Sequence, residues 1–424
     1  MGISPGIIAL AIIGVIMAGI VTVVAIVAIY KCALFAIKIS LKEDKINHDT
    51  SIATSAGSRG GGGAGDSDVE MGSMSHFIEG LQNERPIRFS AQQVRGFTND
   101  YAHKVGAGGF GVVYRGKFPS GVPVAVKVLH CMLGKRAEEQ FMAEVGTIGR
   151  TYHINLVRLY GFCFDADVKA LVYEYMDKGS LDRYLFDHEP EKKTKRIGFE
   201  KLHEIAVGTA KAVRYLHEEC ERRIIHYDIK PENVLLAGEG MAPKVSDFGL
   251  AKLCDREDTH LTITGARGTP GYAAPELWMP FPVTHKCDVY SYGMLLFEIL
   301  GRRRNLQLGG VGEERESSGQ MEWYPRWVWH RLEAVVARAT GKEGTKREKV
   351  AAERVCKVAL WCVQYRPEER PSMGSVVRML EGEDHIAAPR DPFAHLAPYA
   401  APSSEHTTAT TTDSDGSAPA RTGR

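Results

Sequence analysis

The spacing of hydrophobic residues changes along this chain. A continuous apolar run comes first, at residues 7–30, and it contains no charged side chain. Alternating and β-branched stretches follow at 102–128 and 156–176, with a helical stretch near 137–150 between them. After residue 179 the apolar residues recur at helical spacing. A β-rich lobe followed by a helical lobe predicts an α+β fold with a cleft between the lobes.

The first apolar run is long enough to form a membrane-spanning helix. At about 1.5 Å per residue it would extend about 35 Å, more than the about 30 Å of a hydrocarbon core. A cleaved signal peptide is the alternative, but it would have a shorter apolar run and a small-residue cleavage site. The residues before the run carry no charged side chain, whereas those after it include Lys31, Lys38, Lys42 and Lys45.

This charge asymmetry places the C-terminal side of the predicted span in the cytoplasm. We therefore expect a single-pass membrane protein with a short extracytoplasmic end at residues 1–6 and a transmembrane helix at 7–30. Six residues cannot form a ligand-binding ectodomain, so none is expected. The lipid bilayer is then one partner of the chain.

Composition separates the folded part of the chain from its flanks. Residues 49–75 are rich in Ser, Gly and Ala, which predicts a flexible juxtamembrane segment over 31–97. Pro, Ala, Ser and Thr dominate after residue 383, which predicts a disordered tail at 383–424. The folded domain is therefore expected at 98–382.

Charge and cysteine content exclude some classes of function. The formal net charge is +1, so the chain has no overall basic field and nucleic acid is not an expected partner. The 8 cysteines are scattered without close pairs. This spacing indicates neither a zinc site nor a disulfide framework.

A glycine-rich loop lies between the first two predicted strands. Residues 106–113 read Gly-Ala-Gly-Gly-Phe-Gly-Val-Val, and such glycines let backbone N–H groups approach phosphates closely. A dinucleotide-binding fold uses a similar pattern at a turn from strand to helix. Here the following residues, 112–118, have the pattern of a second strand, which argues against that alternative.

A lysine on the next strand is the candidate phosphate contact. Lys127 ends the run Val-Ala-Val-Lys, sixteen residues after Gly111, where a contact to the α- and β-phosphates of a nucleotide is expected. Glu144 is the predicted ion-pair partner, since apolar neighbours give its helix a packed face. Glu138 and Glu139 are the alternatives and are expected to face solvent.

Acidic and amide side chains follow in the helical lobe at a spacing typical of phosphoryl transfer. In the run 226–233, Asp228 is expected to orient the substrate hydroxyl and accept its proton, and Asn233 to ligate Mg²⁺. Asp247 opens an Asp-Phe-Gly motif and is expected to bridge Mg²⁺ to the phosphates. Asn233 and Asp247 are therefore the candidate metal ligands.

These motifs together resemble the eukaryotic protein kinase domain over about residues 98–380. The runs 225–236 and 268–278 are similar to those of plant receptor-like kinases of the leaf-rust-resistance type. The resemblance implies a bilobal kinase fold, with ATP and Mg²⁺ as cofactors and Mn²⁺ as an alternative ion. It also implies protein substrates, a membrane receptor or co-receptor as partner, the plasma membrane as location and a role in plant defence signalling.

The resemblance assigns further residues of the site. Lys230 and Thr269 resemble the Ser/Thr rather than the Tyr class, with Thr269 beside the substrate, and Glu276 and Arg370 match a buried structural pair. Tyr173 takes the gatekeeper position, between the strand lysine and the hinge. The expected nucleotide-binding residues are Val105, Gly106, Ala107, Gly108, Gly109, Phe110, Gly111, Val113, Ala125, Lys127, Tyr173, Glu174, Met176, Leu235 and Asp247.

Position 227 departs from the common His-Arg-Asp pattern, because Tyr227 stands where most kinases have arginine. That arginine pairs with an activation-loop phosphate, and tyrosine cannot form such a charged pair. The candidate phosphosites Thr259, Thr262 and Thr264 are therefore not expected to switch activity through this contact. A pseudokinase scaffold that docks signalling partners is the alternative function. It would be favoured by the loss of a catalytic residue, and none is lost.

Overall fold

The computed structural model describes residues 86–396, except 109–110, 131–134, 187–196, 257–267, 280–281, 307–322 and 342–343. No helix within these ranges is both long and apolar enough to cross a bilayer. Several predictions fall outside the described residues. They are the extracytoplasmic end at 1–6, the span at 7–30, residues 31–85 of the flexible segment, Gly109, Phe110, the phosphosites Thr259, Thr262 and Thr264, and the tail beyond 396.

A twisted sheet of six strands forms the smaller, N-terminal lobe. Its spatial order is β1-β5-β6-β4-β3-β2, with β1 parallel to β5 and every other pair antiparallel. The glycine at 111 is required by this packing, since a Cβ there would lie 2.2 Å from the carbonyl oxygen of Val128. The strands are β1 (Ile87–Arg88), β2 (Lys104–Gly108), β3 (Gly111–Lys117), β4 (Pro123–Leu129), β5 (Leu159–Phe164) and β6 (Lys169–Glu174).

The fold begins earlier than the predicted boundary at residue 98. Residues 86–97, assigned from the sequence to the flexible segment 31–97, add β1 and helix α1 (Ala91–Thr98) to this lobe. Ser90 and Gln93 form a capping box that starts α1. The rings of Phe89 and Phe97 meet edge to face at 5.1 Å and anchor the helix on the sheet. The polar composition upstream concealed these two signals.

Helix α2 (Lys135–Ile148) packs across the sheet and carries Glu144 into the cleft. Phe141, Val145 and Ile148 are buried at the spacing of one helical face, and the ring of Phe141 lies 5.6 Å from that of Phe162. This apolar face fixes the rotation of the helix. Glu144 is therefore directed toward β4.

Helices dominate the larger, C-terminal lobe, and α5 runs through its centre. Nearly every residue of α5 is buried, as expected for a helix that is apolar on all sides. Helix α4 ends in one wider turn at Tyr215–Glu219. The helices are α3 (Asp182–Phe186), α4 (Phe199–Arg214), α5 (Lys286–Gly301), α6 (Tyr324–His330), α7 (Leu332–Thr340), α8 (Lys346–Cys362) and α9 (Met373–Glu381).

Short strands line the cleft side of this lobe. Strands β7, β9 and β10 form an antiparallel sheet, and β8 pairs with β11. Their loops carry the candidate catalytic residues. The strands are β7 (Gly179–Ser180), β8 (Arg223–Ile225), β9 (Val234–Ala237), β10 (Ala242–Val245) and β11 (Lys252–Cys254), and single 3₁₀ turns occur at Pro231–Asn233, Pro275–Leu277, Pro367–Glu369 and Ala394–Leu396.

The chain stays packed on the helical lobe beyond the predicted start of the disordered tail at 383. Phe393 is buried and its ring meets that of Trp323 at 5.1 Å. Trp361 and Gln364 donate hydrogen bonds to the carbonyl oxygens of Ala387 and Arg390. Backbone acceptors and one aromatic ring hold this stretch, and a composition rich in Pro and Ala does not reveal them.

Candidate active site

A cavity of about 800 Å³ lies between the two lobes. Its inner end is bounded by β2, β3 and β4 and by the segment that joins the lobes, and its outer end by the loops of the helical lobe. The predicted nucleotide-binding residues that line it are Val105, Gly106, Ala107, Gly108, Gly111, Val113, Ala125, Lys127, Tyr173, Glu174, Met176, Leu235 and Asp247.

Lys127 joins the two lobes across this cavity. Its Nζ lies 2.5 Å from Oε1 of Glu144 and 2.7 Å from Oδ1 of Asp247. Burial opposes a charge on Lys127, but the two carboxylates outweigh it and hold the pKa of the lysine above its usual value. Burial likewise opposes a charge on Asp247, and Lys127 nevertheless holds the pKa of that carboxyl below its usual value. Both groups are therefore charged at neutral pH.

The alternative partners of Lys127 lie elsewhere. Glu138 pairs with Lys169 at 2.5 Å, and Glu139 is exposed. The hydroxyl of Tyr173 donates a hydrogen bond to Oε2 of Glu144. Glu144 thus binds Lys127 through one oxygen and Tyr173 through the other. The contact with Tyr173 was not predicted, because the two residues lie on different elements.

The loop that carries Asp228 is held by a buried carboxylate of α5. Asp288 accepts hydrogen bonds from the backbone N–H groups of His226 and Tyr227, each at 2.8 Å. Tyr227 is buried and has φ of +66°, a conformation costly for a residue other than glycine. Asp288 offsets this strain. Sequence reasoning missed Asp288, because an acid in the first turn of a helix is an ordinary feature.

Asp228 itself lies at the centre of a small hydrogen-bond network. Lys230 Nζ lies 2.7 Å and Asn233 Nδ2 2.9 Å from Oδ2 of Asp228, and the hydroxyl of Thr269 donates to Oδ1 at 2.5 Å. Lys230 also donates to Thr269 at 2.7 Å. The loop residues and Thr269, which are 36 or more positions apart in sequence, thus form one cluster. This arrangement orients the carboxylate and leaves Asp228 only 4% exposed.

The donor set at the cleft suits a hard cation. The amide nitrogen of Asn233 donates to Asp228, which leaves its amide oxygen as a ligand atom. Asp247 is 30% exposed through its side chain and faces the cavity with a carboxylate oxygen beyond the one bound to Lys127. Carboxylate and amide oxygens are ligands that Mg²⁺ accepts together with phosphate and water.

The segment between the lobes offers backbone groups to a planar ring. The N–H of Glu174 donates to the carbonyl oxygen of Arg158, so only the carbonyl of Glu174 remains for a ligand. The side chain of Glu174 accepts a hydrogen bond from Lys244 at 2.8 Å and is not assigned to ligand binding. Ala125 and Leu235 supply apolar walls from the two lobes.

The family is decided by comparison with known proteins. A family model for protein tyrosine and serine/threonine kinases matches residues 100–380. The chain belongs to the protein kinase family. Kinases of this family use ATP and Mg²⁺ and act on protein substrates, and the bilobal fold described above is the kinase fold.

Several plant receptor-like kinases are similar to this kinase chain. Rust resistance kinase Lr10 of Triticum aestivum is 42% identical over 320 residues, 75% of this chain and 49% of that protein. A leaf rust 10 disease-resistance locus receptor-like protein kinase-like protein (2.3) of Arabidopsis thaliana is 41% identical, over 73% of this chain and 48% of its own length.

A G-type lectin S-receptor-like serine/threonine-protein kinase of Arabidopsis thaliana is 44% identical, over 73% of this chain and 34% of its own. The chain therefore spans about half, or less, of the length of the relatives it matches. The names of these relatives agree with the Ser/Thr class and the receptor-like group.

Proposed function

We propose that the chain is a membrane-anchored Ser/Thr protein kinase that transfers the γ-phosphate of ATP to protein hydroxyls in plant defence signalling. One observation carries the catalytic part. Lys127, Glu144 and Asp247 form a hydrogen-bonded network on one side of the cavity. Lys230, Asn233 and Thr269 line its other side, and each of them donates a hydrogen bond to the carboxylate of Asp228. A scaffold that only docks partners has no need for this set of groups.

Each side chain has a distinct task in this proposal. Lys127, fixed by Glu144, binds the α- and β-phosphates, and the backbone N–H groups of residues 106–111 cover the phosphates. Asn233 and Asp247 would hold Mg²⁺, and a cation held there would supply neutralisation of the phosphate charge. Asp228 orients the substrate hydroxyl and accepts its proton, and Lys230 beside it stabilises negative charge.

The segment between the lobes would select the adenine ring. The carbonyl of Glu174 and the N–H of Met176 provide one acceptor and one donor, with Ala125 and Leu235 on the two faces of the ring. Val105, Val113 and Tyr173 complete the apolar wall. Gly109 and Phe110 belong to the glycine loop in the same proposal, by their sequence positions.

The Ser/Thr class follows from Lys230 and Thr269. Their contacts with each other and with Asp228 bring the segment before Ala274-Pro275-Glu276 against the catalytic carboxylate. The floor of the substrate site then lies close to Asp228, which suits the short side chains of serine and threonine. The relatives named as serine/threonine kinases support the same class.

Transfer of labelled phosphate tests this activity. The full chain in detergent, with Mg²⁺ and labelled ATP, should phosphorylate a generic basic protein, and acid hydrolysis should release phosphoserine and phosphothreonine. Asp228→Asn should abolish the transfer, whereas Asp384→Asn, an exposed acid paired with Arg378, should leave it unchanged. Equal transfer by wild type and Asp228→Asn would favour the scaffold.

The kinase is also proposed to be of the type that lacks arginine before the catalytic aspartate. Tyr227 is buried and provides no cation for an activation-loop phosphate. Activity should therefore survive the simultaneous replacement of Thr259, Thr262 and Thr264 by alanine. Loss of activity in that triple variant would contradict the proposal.

Membrane attachment rests on the apolar run at 7–30 and on the lysines that follow it. We propose the plasma membrane, the kinase domain in the cytoplasm, and a membrane receptor or co-receptor as the partner that supplies ligand recognition. Deletion of 7–30 should release the chain from membranes in alkaline extraction. Retention of the deleted chain in the membrane pellet would argue against the span.

A further inference from the structure

The outer end of the cavity, beyond the catalytic cluster, contains two acidic side chains that the proposed reaction does not use. Glu232 lies on the turn Pro231–Asn233, four residues after Asp228, and Glu298 lies near the end of α5. Both line the same cavity as Lys230 and Thr269. A protein substrate with its hydroxyl at Asp228 would place its flanking residues here.

Glu298 is fully engaged within the protein. The hydroxyl of Tyr272 donates to its Oε2 at 2.6 Å, and the backbone N–H of Asn305 donates to its Oε1 at 3.0 Å. The side chain is buried. Glu298 is therefore part of the wall, and it offers no free carboxylate to a substrate.

Glu232 differs from Glu298, because its ion-pair partner is the partly exposed side chain of Arg304 at the rim of the cavity. Nη1 of Arg304 lies 2.8 Å from Oε1 of Glu232, and the guanidinium lies 4.3 Å above the ring centre of Phe186. Oε2 of Glu232 is buried and has no hydrogen-bond partner among the residues that the structure describes. A substrate arginine that paired with both oxygens of this carboxylate would therefore have to displace Arg304 from Oε1.

Arg304 is held in this position by its neighbour in sequence. Asn305 donates its backbone N–H to Glu298 and its side-chain amide to the carbonyl oxygen of Met294 at 2.7 Å. These bonds tie the segment after α5 to the helix. Arg304 consequently projects over Glu232 from a fixed backbone.

We propose that Arg304 is a specificity-determining residue, which occupies Glu232 in place of a basic residue of the protein substrate. This inference rests on the proposed kinase activity. Arginine matches a carboxylate with two parallel hydrogen bonds, so a substrate arginine and Arg304 would compete for the same acceptor. With Arg304 present, substrates gain nothing from a basic residue beside the phosphorylated hydroxyl. Discrimination arises from what Arg304 blocks as much as from what the site binds.

Matched peptides test this assignment on the full chain. Serine peptides that differ only by Arg or Ala at each flanking position give, for each variant, a ratio of kcat/KM for Arg over Ala. The ratio should be near one for wild type. In Arg304→Ala it should rise about tenfold at one flanking position, through KM, which corresponds to about 1.4 kcal/mol.

The acceptor is identified by a second variant. Adding Glu232→Gln to Arg304→Ala should return the ratio to near one, and Arg304→Lys should stay close to wild type. Arg378→Ala, which breaks an exposed pair with Asp384, is the control and should not change the ratio. An unchanged ratio in Arg304→Ala would overturn the proposal. So would a raised ratio that persists without Glu232.

Peptide affinity, measured by fluorescence anisotropy, provides a readout that does not depend on turnover. If wild type fails to phosphorylate any peptide, the kinase proposal fails. Arg304→Ala should still bind the Arg peptide more tightly than wild type does, if the competition for Glu232 exists. Equal affinity for the Arg peptide in the two proteins would overturn the role of Arg304.

Discussion

Two ion pairs in this molecule have similar distances and opposite purposes. In the cleft, Lys127 lies 2.7 Å from Asp247, whose side chain is 30% exposed and faces the cavity. In the helical lobe, Arg370 binds both oxygens of Glu276 at 2.6 and 2.8 Å, and both side chains are fully buried. The remaining donors of Arg370 go to backbone carbonyls, those of Gln364, Lys286 and Tyr365.

The two pairs differ in whether any hydrogen-bonding group is left without a partner inside the protein. Every charge and donor of the Glu276–Arg370 pair is satisfied inside the protein, so the pair can only hold the turn Pro275–Leu277 and the segment after α8 together. Asp247 keeps a free lone pair directed to the cavity. A buried ion pair whose donors and acceptors are all used stabilises the fold. An ion pair that leaves one acceptor facing a cavity can also bind a ligand. The same amide substitution in both places separates the two roles.

Glu276→Gln should have the largest effect on stability. The substitution leaves the guanidinium of Arg370 buried without its counter-charge, and loss of one partner of such a pair costs about 3–5 kcal/mol. Chemical denaturation should show this decrease, while kcat per folded molecule should stay near the wild-type value. A stable variant with low kcat would reverse the roles assigned to the two pairs.

Asp247→Asn should have the opposite profile. It removes a metal ligand and weakens charge stabilisation of the transferred group, so activity should fall about 10²–10³-fold or more. The free energy of unfolding should change less than in Glu276→Gln, since the Asp247 carboxylate is partly exposed and Lys127 keeps Glu144 as its counter-charge. Labelled-phosphate transfer and denaturation on the same preparation check both parts. Unfolding of the variant under assay conditions would count against this view.

Glu298 shares one property with each ion pair. Like Asp247 it lines the cavity, and like Glu276 it has both carboxylate oxygens engaged in hydrogen bonds. Burial raises the pKa of Glu298 to about 7 from an ordinary 4.5, although hydrogen bonds from Tyr272 and Asn305 oppose the shift. Between these two values the folded state retains a proton that the unfolded chain has lost. The free energy of unfolding should therefore fall by about 3 kcal/mol as pH rises from about 4.5 to 7, and then level off.

Glu298→Gln should remove this part of the pH dependence. Denaturation of both proteins across that pH range, plotted as a difference, isolates Glu298 from the other carboxyls. The difference between the two curves should change by about 3 kcal/mol across this window, because only the wild type loses stability there. Parallel curves would mean that Glu298 does not titrate there.

Tyr173→Phe should have the smallest effect. It removes one hydrogen bond to Glu144 and leaves Lys127 and Asp247 in place, and bonds to charged groups contribute about 1.5–3 kcal/mol. We expect kcat/KM for ATP to fall about tenfold. Tyr184→Phe removes a hydroxyl that donates to the carbonyl of Lys178, outside the cavity, and should leave kcat/KM unchanged.

The sequence predicted what local pattern determines. The two lobes follow from strand and helix periodicity, and Glu144 could be chosen over Glu138 because Phe141, Val145 and Ile148 fix the helix face. Glycine content and the Val-Ala-Val-Lys run identified two adjacent strands. The domain limits were less accurate, since the capping box at Ser90 and the buried Phe393 were hidden by polar or Pro-rich surroundings.

Contacts between distant segments could not be predicted in the same way. Asp288 binds a loop 61 and 62 residues earlier, and Arg304 reaches a residue 72 positions away. Neither contact leaves a periodic trace in its own segment. Tyr173 likewise meets Glu144 only because β6 and α2 converge in three dimensions. Such pairings depend on packing, which spacing along the chain does not encode.

The clasp of Asp288 on two consecutive amides has a consequence for position 227. Because the carboxylate of Asp288 binds main-chain N–H groups, it fixes the path of the loop whatever side chain stands at position 227. The side chain of residue 227 is therefore not needed to hold the loop in place. An arginine that binds an activation-loop phosphate, or a tyrosine that does not, can therefore stand at position 227 without moving Asp228.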